Sequence, residues 1–341
     1  MDGYVSGVPD LGPRMLTVRG ISYWVGDTPE AGLRRDLETI ARDLHCTTVM
    51  LIGSNRTGLI EAARTALETG LDVYLRPHLP DRPQSELLEH LDALAHAAEE
   101  LRRAHPDRVT LMVGSEFTHT APGIVPGPKS FMRLKLILRW HRLLRRRLDR
   151  RLHTLLTAAA STARHRFHGP LTYSAAGWEH VDWSLFDLVG VSLYRNARNH
   201  AGYTDRLRSL VRDHDKPVVI TEFGCGAFTG ADLRGAGSFQ IVNWFADAPY
   251  VRGDHPRDET VQARYLSELI DLYIAEGVYG CFVFTFAMPD FPHRDDPRLD
   301  LDKAGFGIVA VSESTARRPK AAFHEVAQRY RESNTRAHQE D

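Results

Sequence analysis

Glu116 and Glu222 are the residues of this sequence best placed to do chemistry. Each closes a run of β-prone apolar residues, Val113-Gly114-Ser115-Glu116 and Val218-Val219-Ile220-Thr221-Glu222. A buried strand gains nothing by finishing on a carboxylate unless its end opens onto something polar. Two carboxyls presented this way match what cleavage of a glycosidic bond requires. One serves as general acid and then base and the other as nucleophile, about 5–5.5 Å apart across the sugar when configuration is retained. The acid has to stay protonated at working pH, which burial or the neighbouring negative charge arranges. Tyr194, at the end of Val189-Gly190-Val191-Ser192-Leu193-Tyr194, is positioned to donate a hydrogen bond to the nucleophile.

The elements that must carry these residues alternate. Apolar strand-like runs fall at Leu16–Tyr23, Thr47–Gly53, Asp72–Arg76, Thr110–Glu116, Leu171–Ser174, Leu188–Tyr194, Pro217–Glu222 and Gly280–Phe286, with helical periodicity between them. Leu33, Leu37, Ile40 and Leu44 mark one helix stripe, with Thr28 as N-cap and Pro29 at the first helical position. Leu87, Leu91, Leu94, Ala98 and Leu101 mark a second stripe, and Phe323, Val326, Ala327 and Tyr330 mark a last one. Strands alternating with helices give a parallel sheet, and eight such repeats give a closed (β/α)8 barrel without exposed edges. In that fold the strand C-termini form the chemical face. An open doubly wound sheet would want a glycine-rich phosphate loop after the first strand, and none is present.

Two irregularities stand out. Only Ala175 to Asp187 separates the fifth and sixth strands, too short for a full crossover helix. The segment 224–258 is long, follows Glu222 directly, and is rich in glycine and aromatics (Phe228, Phe239, Trp244, Phe245, Tyr250), as expected of a binding wall or lid. One catalytic barrel is expected over 15–332, with an N-terminal arm at 1–14 and a polar tail at 333–341.

Composition narrows the class. Of 341 residues, 43% are hydrophobic and 26% charged, which suits a soluble domain with a sizeable core. A formal net charge of −1 gives no general attraction to nucleic acid or membrane. No apolar run approaches a membrane span. No basic and apolar leader precedes residue 14, and the three cysteines, Cys46, Cys225 and Cys281, are widely spaced and odd in number. Reduced thiols in a cytoplasmic protein are the expectation.

Further candidates for the substrate site are Arg76 and His78 at the end of strand 3, Ser115 beside Glu116, and Tyr23 and Trp24 ending strand 1. Asn55 past strand 2, Trp244 in the long loop, Phe286 on strand 8 and Asp290 after it complete the set. Aromatic rings stack on the C–H faces of sugars, but they also simply pack. His78, Glu116, His119, Glu222 and His293 form an alternative constellation, that of metal ligands at strand ends. The missing His-x-His pair on strand 1 and bridging lysine count against it, so no metal and no cofactor are expected. Asp290, Asp295, Asp296, Asp300 and Asp302 make an acidic loop, read as a solvated one.

Taken together, these residues resemble the large clan of (β/α)8 retaining glycoside hydrolases whose acid/base ends strand 4 and whose nucleophile ends strand 7. Lys216-Pro217-Val218-Val219-Ile220-Thr221-Glu222-Phe223-Gly224 and the sixth-strand Tyr194 carry the resemblance most firmly. Leu75-Arg76-Pro77-His78, Gly305-Phe306-Gly307-Ile308 and Arg318-Pro319-Lys320 add to it. The resemblance covers most of 16–330 and implies Glu222 as nucleophile, Tyr194 as its partner and Glu116 as acid/base. Two positions depart from the clan's pattern. Ser115 stands where Asn usually contacts the sugar 2-hydroxyl, and strand 8 closes Phe284-Thr285-Phe286-Ala287 without the usual tryptophan platform. These departures bear on which sugar is bound more than on the two-glutamate chemistry.

Residues 129–151 hold ten Lys/Arg (Lys129, Arg133, Lys135, Arg139, Arg142, Arg145, Arg146, Arg147, Arg150, Arg151) against Asp149 alone. Leu134, Ile137, Leu144, Leu148, Leu152 and Leu155 run beneath as an apolar stripe, so this fourth helix is elongated, to about Ala163. A solvated basic face is expected, and a docking surface for an acidic partner or subunit is the sharper alternative. Nucleic acid would want interleaved aromatics. The function expected is hydrolysis, with retention, of a small or intracellular glycoside. The rival is a barrel that binds carbohydrate or protein without catalysis, with the basic helix as its working surface.

Overall fold

A computed structural model describes residues 15–26, 30–312 and 317–337. The expected arm at 1–14 and the Thr28–Pro29 helix start lie outside the described residues, as does the end of the tail. Eight parallel strands make up the central sheet: Val18–Trp24, Thr48–Gly53, Asp72–Pro77, Val109–Ser115, Leu171–Ser174, Val189–Ser192, Val218–Phe223 and Gly280–Val283. In the sheet they follow the order 5-4-3-2-1-8-7-6. Ala175 pairs with Val191, through Ala175 N to Gly190 O at 2.9 Å and Ser192 N to Ala175 O at 2.8 Å, and this closes strand 5 onto strand 6. The sheet is a barrel.

The strands run apolar because both of their faces are covered. Inward, Val18, Met50, Ile52, Tyr74, Met112, Leu188, Val219 and Phe282 fill the barrel bore. Phe282 fits there because Gly20 faces it; a Cβ on Gly20 would meet the ring at 2.3 Å. Outward, Ile21, Val49, Leu51, Val73, Leu75, Leu111, Ile220 and Val283 pack beneath the helices. Those helices are Glu30–Arg42, Arg56–Glu68, Gln84–Ala104, Ser130–Arg166, Tyr203–Arg212, Glu259–Ala275 and Ala321–Ala337. The last runs on to Ala337, into the 333–341 segment read as a polar tail. Only a 3₁₀ turn, Trp183–Leu185, lies in the short link between strands 5 and 6.

The helix Ser130–Arg166 has 37 residues, a length of about 55 Å at roughly 1.5 Å per residue. Its inner stripe is buried at Ile137, Leu148, Leu152 and Leu155. Arg133 departs from the expected solvated basic face, because it is fully buried. Its guanidinium donates to the carbonyls of His119 (2.7 Å), Gly127 (2.8 Å) and Thr120 (2.9 Å) and to Asp81 Oδ1 (2.5 Å). It therefore ties the start of the helix to the loop after strand 4. Met132, Leu136, Trp140 and Leu143 lie exposed on the outer side of the helix. No described helix is long and apolar enough to cross a membrane.

The segment 224–258 is a built wall. It holds a 3₁₀ stretch, Gly235–Ile241, and a two-residue pairing of Val242–Asn243 with Tyr250–Val251, over buried Phe228, Ile241 and Val242. The ring of its Phe245 meets Phe131 of the long helix at 6.3 Å, and Lys135 Nζ lies 5.7 Å from the Phe131 ring and 5.9 Å from that of Phe245.

Candidate active site

Strand 4 ends one residue earlier than the sequence pattern implies, at Ser115. Its register with strand 5 shifts between Met112 and Ser115. Glu116 then takes a left-handed backbone conformation (φ 47°, ψ 47°) and caps the short helix Phe117–Thr120. Phe117 folds back under the strand because Gly114 leaves room; a Cβ there would meet its ring at 2.3 Å. Bulge, left-handed turn and back-folded ring together aim the Glu116 side chain over the barrel mouth. Glu222 is still within strand 7, where the register with strand 6 shifts between Val191 and Ser192.

Glu222 is enclosed by hydrogen-bond donors. Arg76 Nη1 bonds to its Oε1, and Tyr194 OH donates to its Oε2 at 2.9 Å. Arg76 Nη2 donates to Ser115 Oγ at 2.8 Å. The ion pair is nearly dry, with 5% of the Arg76 side chain and 10% of the Glu222 side chain exposed.

Glu116 has the opposite surroundings. Burial, then the charges of Glu222 and Glu179, push its carboxyl up from the ordinary range to about 8, against a smaller downward pull from Arg76. His119 Nδ1 lies 3.5 Å from Glu116 Oε2. Burial and the positive charges of Arg133 and Arg76 bring that imidazole down to about 4, so it is neutral at neutral pH and does not stabilise a Glu116 anion as an ion pair. Two carboxyls with contrasting environments thus share one site.

Both glutamates line one open cleft of about 780 Å³, with His119, Ser192, Tyr194, Trp178, Phe284 and Phe306 around them. Leu134 and Leu138 of the long helix form one wall, and Leu233, Arg234, Phe239 and Gln240 of the 224–258 segment form another. Trp24 and His78 stand behind Phe284. The Trp24 ring is edge-on to His78 at 5.1 Å and to Phe284 at 6.3 Å, and burial with the Arg76 charge brings His78 down to about 3.

Five expected site residues lie elsewhere. Successive strand residues point to opposite faces, so with Trp24 facing the bore, Tyr23 turns outward; it is buried, and its OH donates to Asp36 Oδ2 at 3.0 Å. Strand 8 ends at Val283, and Phe286, bonded through its N to Ser22 O, packs on Tyr23 with ring centroids 6.0 Å apart. Phe284 takes the place in the cleft given to Phe286. Asn55 is the N-cap of helix Arg56–Glu68, its side chain accepting from Gly58 N at 3.3 Å. Asp290 is exposed in a turn away from the cleft. Trp244 packs on Phe291 at 5.0 Å, outside the cleft lining.

The metal constellation also divides. His78, Glu116, His119 and Glu222 are at the mouth, whereas His293 joins Asp300 and Asp302 elsewhere, with their ligand atoms within 4.8 Å of one another. Of the acidic loop expected to be solvated, Asp290, Asp295 and Asp296 are exposed, but the pair in that group, Asp300 and Asp302, is buried. Cations already occupy it, with Arg257 on Asp300 (3.0 Å) and Asp302 (2.8 Å) and Lys320 on Asp302 (3.3 Å). Such a network pins the 224–258 segment to the barrel's closing loop.

One contributor to the site left no motif in the sequence. Glu179, in the short link between strands 5 and 6, accepts from Thr118 N (2.9 Å), Thr118 Oγ1 (2.7 Å), Tyr173 OH (2.9 Å) and Ala176 N (2.9 Å). Tyr173 OH in turn accepts from Phe117 N at 2.6 Å. Glu179 thereby fixes the turn that presents Glu116 and adds negative charge beside it. The one available cue was an acidic residue in a link too short to be helical.

No family model and no curated protein sequence matches the chain. Solved structures do. A GH113 β-1,4-mannanase complex superposes with a TM-score of 0.62 at 15% identity, covering 93% of this chain and 99% of that one. A GH113 β-mannanase from Alicyclobacillus acidocaldarius gives 0.59 at 16% identity, covering 93% and 97%. A Bacteroides uniformis β-glucuronidase, covalently bound to a cyclophellitol-type aziridine, gives 0.58 at 15% identity, covering 94% of this chain and 35% of that one. What the chain shares with these glycoside hydrolases is the (β/α)8 barrel fold.

Proposed function

We propose that the chain is a glycoside hydrolase acting with retention, Glu222 being the nucleophile and Glu116 the acid/base. One observation carries the reading: two glutamates line a single cleft at the strand C-termini, one gripped by Arg76 and Tyr194 and the other kept protonated by burial and neighbouring negative charge. Glu222 Oε attacks the anomeric carbon as the bond to the leaving oxygen breaks, and Glu116 delivers its proton to that oxygen. Glu116, now a carboxylate, takes a proton from water, and that water displaces Glu222 from the sugar. Tyr194 and Arg76 orient the nucleophile; His119 lies beside the acid.

A small or intracellular glycoside suits this reading. The three free, buried thiols, Cys46, Cys225 and Cys281, fit the cytoplasm, which cell fractionation checks. The test of function is a panel of aryl glycosides. Glu222→Gln is expected to lose turnover on every substrate that wild type accepts. Glu116→Gln is expected to keep most activity where the leaving group is good and to be rescued by azide, giving a glycosyl azide of retained configuration. Wild type inactive across the panel overturns the reading.

The outer face of the long helix supports a second role. Exposed Met132, Leu136, Trp140 and Leu143 stand among Lys135, Arg139 and Arg146, a face suited to docking an acidic partner or subunit. Salt-sensitive association, lost in Trp140→Ser/Leu143→Ser, is the expected behaviour.

A further inference from the structure

The walls of the cleft have a character that bond cleavage itself does not require. Apart from Glu116 and Glu222, no acidic side chain lines the cleft, whereas Arg198, Arg206 and Arg234 all do. All three are exposed. Neighbouring arginines rest on carboxylates: Arg195 on Glu268 at 2.6 Å, Arg208 on Glu276 at 2.7 Å, and Arg257 on Asp300 and Asp302. Among the described residues Arg198 and Arg234 have no such partner, and the Arg206 side chain donates only to the carbonyl of Gly177, at 2.8 Å. The cleft therefore presents three positive charges that no carboxylate ion pair among the described residues compensates.

Two exposed side chains of the cleft are aliphatic. Leu138 is 56% exposed and Leu233 60% exposed, facing the cleft from the long helix and from the 224–258 segment, with Leu134 and Phe239 beside them. Branched aliphatic side chains offer neither hydrogen bonds to hydroxyls nor a flat face to a sugar ring. They gain by covering hydrocarbon. Two of the lining amides are already committed, Asn199 Nδ2 to Tyr194 O at 2.8 Å and Asn196 Oδ1 to Arg198 N at 2.9 Å.

We propose that this part of the cleft receives a leaving group with an apolar body and an anionic substituent, a carboxylate, sulfate or phosphate ester, so that the substrate is a negatively charged amphipathic glycoside. The inference rests on the hydrolase reading for its chemistry but not for its binding site. Leu138 and Leu233 cover the apolar part, and Arg198, Arg206 and Arg234 meet the anion.

The test has two arms. In the first, fluorescence titration compares anilinonaphthalene sulfonate with neutral phenylnaphthylamine, which shares its apolar body. The Arg198→Gln/Arg206→Gln/Arg234→Gln variant is expected to weaken sulfonate binding about ten-fold and to leave the neutral probe nearly unchanged. Leu138→Ser/Leu233→Ser is expected to weaken both probes. Arg42→Gln/Arg212→Gln, two exposed arginines outside the cleft lining, is the control and is expected to change neither; circular dichroism checks that each variant is folded. Sulfonate binding that survives the triple substitution, or that is lost equally in the control pair, overturns the proposal. In the second arm, an alkyl glycoside of any sugar that is hydrolysed is compared with its carboxyl-terminated counterpart. A higher kcat/KM for the carboxylate, abolished in the arginine variant, supports the proposal. Hydrolysis without that preference overturns it and leaves the hydrolase reading intact. If no glycoside is hydrolysed, the hydrolase reading fails and the binding arm alone decides.

Discussion

Arg76 Nη1 lies on Glu222 Oε1 while Nη2 of the same guanidinium reaches Ser115 Oγ at 2.8 Å. One buried cation from strand 3 thus joins the end of strand 4 to strand 7. A buried ion pair has a large desolvation cost that only good geometry offsets, and removing one member leaves the other charge stranded. Arg76→Met is therefore expected to lower stability by about 3–5 kcal/mol. In the Arg76→Met/Glu222→Gln double variant most of that loss is expected to return. Urea unfolding of the wild type, both single variants and the double variant measures the cycle. A loss in the double variant equal to the sum of the two single losses would show that the pair is not coupled.

The raised carboxyl of Glu116 makes both activity and stability depend on pH. Its acid form is present below about pH 8 and disappears above it, so kcat/KM is expected to fall on the alkaline side near that value. For stability the sign is fixed by proton binding. Between the ordinary carboxyl range and about 8 the folded state keeps a proton that the unfolded chain has released, so stability declines as pH rises through that window. Glutamine does not titrate. Glu116→Gln should therefore gain in Tm relative to wild type as the pH is raised from about 5 to about 9, and thermal melts across that range check it.

Glu179 supplies part of the negative charge that raises Glu116. In Glu179→Gln the alkaline limb of the pH–rate profile is expected to move to lower pH. A purely structural defect would lower the rate at all pH values and leave the limb in place.

Much of this machinery was legible from the sequence, and the reasons are local. Glu222 and Glu116 each follow a run whose burial on both faces demands a barrel strand, so their placement at strand ends follows from the pattern. Tyr194 and Arg76 follow by the same logic. Tyr23 and Phe286 were not legible, because the alternation of side chains depends on where a strand stops, and end positions are what a hydrophobic run defines least. Asn55 carried its own signal as a helix cap, ahead of the stripe at Leu59 and Ala63, and capping is what it does. Glu179 could not be found by periodicity, since it sits in a link with a single 3₁₀ turn and acts through hydrogen bonds to a segment some sixty residues away.

Tyr194 OH is the sole donor besides Arg76 that is bonded to the Glu222 carboxylate among the described residues. Tyr194→Phe removes a hydrogen bond to a charged group, worth about 1.5–3 kcal/mol. The expected result is a fall in kcat/KM of about ten- to a hundred-fold, with folding retained. Steady-state kinetics on the best aryl glycoside, beside a melt of the variant, separates the two effects.

The meeting of Phe131 and Phe245 joins the long helix to the segment after strand 7 by a ring contact of 6.3 Å on the protein's surface. Neither ring belongs to a barrel strand, and Phe245 is 81% exposed. This surface contact can therefore be redrawn without disturbing the frame that holds the two carboxyls. Sequences built on this frame are free to vary at the rim while keeping the placement of Glu116 and Glu222.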